Sequence, residues 1–361
     1  MEKRQITTRQ MLVLLFAGML SPTIRALPRR SVAVGGTGGW LSSLIAIFPV
    51  LLVVWSILAC LRRMPKGSGL GELMECGIGR SAAKVLAAGY AAWILLSVAV
   101  FLRIYSERFL STTYATSSIY LFLISILLLT LWNSNGSFGA FARMGRIFFV
   151  ILVLTLVLVL GMTAGQVKLE HVFPLWWQDT PDVLRASIPA MGTLGYGIFT
   201  FFLGGQTKDL TEQRGMVLRW TFGFGILLTV MQFITVGLFG APMVARMQVP
   251  FFMLTKEINV YGAMERMESV IIALWVVTDV VLVGLMTRAA CAALRFTFEL
   301  SDGQKVATPM ILGMLPAAIL IAGNQFALEE FCTKVMNTGN LILGYIVPLV
   351  ICLLAKVRKR L

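Results

Sequence analysis

Long runs of apolar residues, separated by short polar segments, recur along the whole chain. A helix that crosses the hydrocarbon core of a bilayer needs about 20 predominantly apolar residues. The pattern leaves room for ten such runs and for little else, so it predicts an all-α polytopic membrane protein with one integral membrane domain over residues 1–361. The predicted spans are 10–29, 38–61, 83–108, 115–132, 143–165, 187–205, 217–241, 266–293, 307–323 and 338–355.

Two connections between these spans have a pattern of their own. Residues 166–186 contain Trp176, Trp177 and Pro181, which indicates a segment at the membrane interface. Apolar and charged residues alternate too closely in residues 251–268 for that segment to span. We expect it to lie on the membrane surface as an amphipathic element.

Helix-breaking residues interrupt two of the spans at matching points in the two halves of the chain. The first span runs into Ser21 and Pro22, and the sixth contains Gly192, Gly195 and Gly197. Paired interruptions of this kind mark the binding site in transporters built from two inverted repeats. Glycine and proline also occur in membrane helices simply because they allow close packing, and each interruption taken alone fits that alternative equally well.

The paired interruptions predict a repeat over about residues 10–165 and a second over about 187–355. Unwound helix ends expose amide N–H groups that attract a carboxylate and carbonyl groups that attract an amine. An amino acid carries both charges, which makes it the favoured ligand. The predicted ligand-binding pocket consists of Gly18, Ser21, Pro22 and Thr23, together with Gly195, Tyr196, Gly197 and Phe199, and it is closed on one side by Trp275 and Asp279.

Charged residues inside spans are costly and therefore informative. Asp279 lies near the middle of the eighth span, where it could bind a ligand amine or a proton, or could pair across helices with a basic or hydroxyl group. Arg103 and Glu107 are four residues apart, and an ion pair along one helix is favoured over a gating role for them. Arg25 follows the first interruption and could face a ligand carboxylate or extend towards the membrane surface.

The basic residues are distributed unequally between the two sides of the predicted bundle. One side receives 20 of the 31 lysines and arginines and the other side receives 11, so the positive-inside rule places both termini in the cytoplasm. The 20 are Lys3, Arg4, Arg9, Arg62, Arg63, Lys66, Arg80, Lys84, Arg143, Arg146, Lys208, Arg214, Arg219, Arg288, Arg295, Lys305, Lys356, Arg358, Lys359 and Arg360.

Composition supports the membrane assignment and narrows the chemistry. The chain is 58% hydrophobic and only 13% charged. Its net charge of +14 comes from basic residues in short loops at membrane edges, which argues against nucleic-acid binding. One histidine and five scattered cysteines provide no spacing typical of a metal site, and the sequence contains no phosphate-binding loop. We therefore predict no cofactor and no enzymatic activity.

Two stretches of the sequence resemble a known family. The first is Leu27-Pro28-Arg29-Arg30-SVAVGGTGGW, in which a Gly-Gly-Trp opens the second span, and the second and more specific one is Val249-Pro250-FFMLTKEINVYGAMERMESVIIALW. Both are similar to the B-subunit family of nutrient germinant receptors of endospore-forming bacteria, also called the spore germination permeases. The resemblance extends over the whole chain.

The resemblance implies membership of the amino acid–polyamine–organocation superfamily, with a LeuT-like core of five plus five inverted helices whose first and sixth helices are broken. It further implies a germinant-binding subunit in the spore inner membrane that acts with a larger A subunit and a lipoprotein C subunit. Its ligand would be a small nutrient, and its surroundings membrane lipid. A receptor that binds without turnover and a permease that transports its solute remain open, because both need the same pocket.

Overall fold

The computed structural model describes residues 5–112, 114, 116–257, 267–300 and 306–358, and these residues form helices joined by short turns. The one β-type contact among them is an isolated bridge between Ile6 and Thr207. The helices are α1 Thr8–Gly35, α2 Ser42–Leu61, α3 Leu70–Ile78, α4 Arg80–Thr112, α5 Ile119–Asn135, α6 Phe138–Ala164, α7 Thr180–Leu194, α8 Tyr196–Phe199, α9 Arg214–Phe239, α10 Ala241–Arg246, α11 Pro250–Lys256, α12 Met267–Phe298, α13 Ala307–Leu320 and α14 Gln325–Val357.

Seven helical segments in the described residues are long and apolar enough to cross a membrane, which confirms the helical membrane class. One of them, Thr8–Leu61, has 54 residues and contains α1 and α2, joined by a 3-10 segment at Gly36–Leu41. At about 1.5 Å per residue, it is long enough for two crossings of a hydrocarbon core about 30 Å thick. The helices α5 and α13 are apolar but shorter, and the number of ten crossings stays a prediction, as does the inverted repeat.

The predicted break in the first span is wrong. The helix α1 continues through Pro22 and Pro28 to Gly35, where Gly36 ends it with a φ of 52°. Proline has a helix-compatible φ and removes one hydrogen-bond donor, a loss that packing against neighbouring helices makes tolerable. Those neighbours are α6, α7 and α12, and α1 therefore offers no unwound amides at Pro22.

The sixth span is interrupted as predicted, but it does not unwind. The regular α-helix ends with α7, and Gly195 lies between α7 and α8 with φ −56° and ψ −29°. The chain then tightens into a 3-10 helix over Thr200–Gln206. The backbone therefore remains helical, but its geometry changes within the span. Segments of 3-10 helix inside a longer helix often mark hinges.

The prediction of a surface-lying element at residues 251–268 is wrong for the part that the structure describes. Phe251, Phe252 and Leu254 of α11 are 3%, 1% and 0% exposed, because this short helix packs between α1, α9 and α12. Residues 258–266 lie outside the described residues. The connection at 166–186 does carry exposed aromatic side chains, since Trp176 and Trp177 are 67% and 89% exposed.

Buried polar contacts fix α1 against α2 and α9. The Ser42 hydroxyl donates to Ser31 Oγ at 2.7 Å, and the Gln232 side-chain amide donates to Ser43 Oγ at 2.6 Å. All four side chains are buried. Hydrogen bonds between buried polar groups are directional, so this cluster fixes the register of α1, on which most candidate site residues lie.

Candidate functional site

A buried ion pair between Arg108 of α4 and Asp279 of α12 lies beside the middle of α1. Their closest nitrogen and oxygen are 3.1 Å apart, and the two side chains are 3% and 4% exposed. The Ser21 hydroxyl donates to Asp279 and accepts a hydrogen bond from Arg108 Nη2 at 3.1 Å. The Arg108 guanidinium also lies 5.0 Å from the centre of the Trp275 ring.

This arrangement bears directly on the two roles that the sequence allows for Asp279. The carboxylate pairs across helices with both a basic and a hydroxyl group, which is the structural role. A lone carboxylate at this depth would be costly, and its pairing with Arg108 and Ser21 offsets that cost. Asp279 therefore connects α1, α4 and α12, and a ligand amine would have to displace an existing partner to reach it.

A second charged cluster lies further along α1, where three arginines surround one carboxylate of α14. Arg25, Arg29 and Arg30 contact the Glu329 carboxylate at 3.4, 3.3 and 2.7 Å. The Glu329 side chain is 18% exposed, and those of Arg25 and Arg30 are 13% and 14% exposed. Three positive charges against one negative charge leave a surplus of two in a partly desolvated site.

The arginines border a cavity of about 30 Å³ between α1, α4, α7 and α14. Pro22, Arg25, Arg30 and Tyr196 line it, together with apolar atoms of Phe101 and others. We call it the arginine cavity. Arg25 Nε is buried and has no hydrogen-bond partner among the described residues. The cavity therefore combines positive charge, an unused donor and an apolar wall.

A neighbouring cavity of about 10 Å³ is lined by residues of both charged clusters. Arg25 and Glu329 belong to one cluster and Arg108 to the other, and Glu107 also lines the cavity. Glu107 accepts from Arg103 at 2.8 Å, which confirms the ion pair predicted along α4. The Ser21 to Asp279 network and the arginine cavity are thus parts of one charged region.

Several of the predicted pocket residues lie in packing contacts instead of a cavity. A Cβ at Gly18 would lie 3.2 Å from the Leu282 backbone, and one at Gly195 would lie 3.1 Å from the Asn340 carbonyl oxygen. The Thr23 hydroxyl donates to carbonyls of its own helix. Phe199 is 0% exposed and packs against Tyr90 and Tyr196.

The predicted pocket is therefore divided among separate places. Ser21, Trp275 and Asp279 come together around Arg108, while Pro22 and Tyr196 line the arginine cavity. Gly197 faces a third, apolar cavity between α1, α8 and α9. The ten residues do not line a single cavity in the structure, because α1 and the sixth span remain helical and direct successive side chains to different sides, and their role in ligand binding stays a prediction.

Four residues of this region escaped the sequence analysis. The pair at 103 and 107 accounts for the charge of that span without Arg108. A second arginine in one span nevertheless indicates a buried partner elsewhere. Glu329 precedes an apolar run and looks like a surface residue. Asn340 and Tyr345 donate to the carbonyls of Gly192 and Met191 at 2.9 and 2.7 Å. A lone asparagine in a predicted span is a signal for such a hydrogen bond between helices.

The fold defines the class of protein. A Na+-coupled sialic acid symporter, solved in a substrate-bound outward-open state, is similar over 96% of this chain and 80% of its own chain, with a TM-score of 0.63 and 14% identity. MhsT in complex with L-phenylalanine is similar over 99% of both chains, with a TM-score of 0.60 and 14% identity. The chain therefore has the LeuT fold that these two proteins share.

The sequence comparisons then give the family. A family model described as spore germination protein matches residues 5–326, and the chain belongs to this family of spore germination permeases. A Bacillus subtilis (strain 168) protein, YfkT, whose name describes it as a spore germination protein, is 26% identical over 222 residues, which are 59% of this chain. The match spans 58% of the length of that relative.

Proposed function

We propose that this chain is the germinant-binding membrane subunit of a spore nutrient receptor. It recognises a small nutrient, an amino acid in the first place, in a transporter-like cavity and thereby triggers germination. The family supports the germination role, and the fold supports a small solute as the ligand. Its partners would be a receptor A subunit and a lipoprotein C subunit in the spore inner membrane, as the family resemblance implies.

The observation that carries this proposal is the surplus of positive charge at the arginine cavity. A ligand carboxylate would neutralise positive charge that Glu329 alone leaves uncompensated. Arg25 also has a buried donor that a carboxylate oxygen can use. Charge-assisted hydrogen bonds from arginine to carboxylate are among the strong ones. The cavity has a volume of about 30 Å³, room for about two waters, so its walls must move to admit a ligand and a small nutrient needs the least movement.

Residues of the predicted pocket would then act in three ways. Pro22 and Tyr196 would contact the nutrient, since both line the arginine cavity. Ser21, Trp275 and Asp279 would position α1 through Arg108, and Gly18 and Gly195 would keep the helices close enough to hold the cavity together.

A permease that carries its solute across the membrane is the second candidate. The likeness to a Na+-coupled symporter favours it, because a similar fold supports transport in that protein. Proteoliposomes containing the purified chain and labelled amino acids separate the two: uptake that saturates and needs Arg25 would establish a permease. Binding without uptake would establish a receptor.

Germination assays with spores test the receptor proposal directly. Deletion of the gene should abolish the response to one class of nutrients and leave non-nutrient triggers intact. Arg25→Gln should move the nutrient dose response by about tenfold or more, the effect of losing roughly 1.4 kcal/mol of binding, at normal protein abundance. Lys334→Gln is the matched control, because Lys334 forms an exposed pair with Glu330. A deletion strain that responds normally to every amino acid and sugar would contradict the proposal.

A further inference from the structure

We infer that the apolar cavity between α1, α8 and α9 is a second binding site, which takes an uncharged, predominantly apolar molecule such as an alkyl chain or a small ring. The site is separate from the arginine cavity and goes beyond the proposed function. Its volume is about 100 Å³, of the same order as the apolar cavity of roughly 150 Å³ that binds benzene in another protein.

The walls of this cavity define the chemistry of its occupant. They come from α1, α2, the sixth span and α9, and include Met11, Leu15, Val54, Gly197 and Trp220. Every lining residue belongs to the part of the chain that the structure describes, and none of them is charged. Moving a zwitterion into such surroundings is strongly unfavourable, so an amino acid does not fit here.

The threonine hydroxyls in the walls already have partners. Thr200 Oγ1 donates to the Gly197 carbonyl at 2.6 Å, and Thr221 Oγ1 donates to the Val217 carbonyl at 2.9 Å. The Thr8 hydroxyl donates to Asp209 at 3.0 Å. Because these hydroxyl protons are engaged, the site recognises its ligand by shape and apolar contact.

Aromatic rings form one wall of the cavity. The Phe16 ring lies 5.3 Å from that of Phe224 and 6.2 Å from that of Trp220, both edge to face. Phe149 supports the Trp220 ring from behind at 5.6 Å. Such rings bury a large apolar area and lose little conformational freedom, so they form a stable surface for an alkyl or aromatic ligand.

The absence of a side chain at Gly197 leaves part of this space open. A Cβ there would meet only Leu15 Cδ2, at 3.4 Å. The preceding residue, Tyr196, lines the arginine cavity. Adjacent residues of α8 therefore line the two cavities. An apolar molecule in this cavity would contact α8, and α8 also forms part of the wall of the arginine cavity.

Photolabelling tests the inference. The full-length protein in lipid nanodiscs is irradiated with 1-octanol that carries a diazirine group, and labelled peptides are mapped by mass spectrometry. We expect labels on the cavity-facing parts of α1 and α9. Gly197→Leu should lower that labelling by about tenfold, since filling the site displaces contacts worth roughly two methylene groups.

The matched control is Gly89→Leu, because a Cβ at Gly89 meets nothing within 4 Å and the residue lies on α4, away from the cavity. Leu15→Trp fills the same space from α1 and serves if Gly197→Leu does not fold.

A second labelling experiment uses a phospholipid with the diazirine on its acyl chain. Labelling of the cavity by that lipid identifies a bilayer chain as the occupant, and labelling by octanol alone identifies a free apolar molecule. Equal labelling of wild type and both filled variants, or labels confined to lipid-facing residues such as Leu154, would overturn the inference.

Discussion

Individual charged residues in this protein are explained by their partners across helices. Asp279 is tolerable in the bundle because Arg108 and Ser21 satisfy it, and Arg108 is in turn held by Asp279, Ser21 and the Trp275 ring. A buried pair of this kind need not add much net stability, but removal of one partner leaves an uncompensated charge. The consequence can be measured.

Asp279→Asn should destabilise the protein by about 3–5 kcal/mol, because Arg108 would remain buried without a counter-charge. Thermal unfolding in detergent and membrane abundance would both report the loss. In the double variant Asp279→Asn with Arg108→Met, most of that loss should disappear. Asp182→Asn is the control, since it breaks an exposed pair with Arg185 and should cost less than about 1 kcal/mol. Normal stability of Asp279→Asn together with an altered nutrient response would instead favour a ligand-binding role for this carboxylate.

At the scale of helices, side chains of α14 and α4 add hydrogen bonds around the interruption in the sixth span. The Asn340 side chain donates to the Gly192 carbonyl at 2.9 Å and accepts from Trp93 Nε1 at 2.9 Å. Tyr345 donates to the Met191 carbonyl at 2.7 Å. These side-chain donors satisfy two carbonyls next to the interruption at Gly195.

Asn340→Ala should cost about 1–3 kcal/mol, because it leaves the buried Gly192 carbonyl and the Trp93 N–H without their partner. The free energy of unfolding and nutrient affinity should fall together, since Asn340 also borders the arginine cavity. Thr338→Ala is the control, because the exposed Thr338 hydroxyl bonds only within its own helix, to the Lys334 carbonyl. Unchanged unfolding of Asn340→Ala would show that α14 does not hold the interruption.

Leucine substitutions at two glycines of the sixth span should differ in their effect on folding, since only one of the two glycines lies in a close helix contact. Gly195 and Gly344 bring α7 and α14 together, since a Cβ on Gly344 would lie 3.2 Å from Gly195 Cα. Gly195→Leu should therefore force the helices apart, at a cost of about 1–3 kcal/mol or more, and lower membrane abundance. Gly197→Leu fills open space and should keep normal abundance. Equal abundance of the two variants would contradict this account of the glycines.

At the scale of the whole molecule, the unequal distribution of basic residues predicts the orientation in the membrane. With both termini in the cytoplasm, cysteines introduced near His171 and Lys334 into a variant without native cysteines should react with an impermeant reagent applied outside. Cysteines near Lys66 or Arg358 should not react until the membrane is opened. The reverse pattern would overturn the topology. If cysteines at both ends of one predicted span react from outside, that segment does not cross the membrane.

The sequence alone determined the class of this protein, because apolar run length and charge density are properties of the chain and do not depend on its fold. Ten apolar runs indicated a helical membrane protein, and the residues at 27–40 and 249–275 indicated the family that the comparisons show. The ion pair of Arg103 and Glu107 could be predicted as well, since their spacing places both on one face of a helix.

The tertiary structure decided where those residues meet. Whether Pro22 breaks α1 depends on the helices packed around it, and nothing in the local sequence records them. Asp279 and Arg108 are 171 residues apart and Arg30 and Glu329 are 299 apart, so only the packing of the bundle brings them together. Two adjacent residues, Tyr196 and Gly197, face different cavities because the backbone stays helical, and this separated the single pocket expected from the sequence into a charged site and an apolar one.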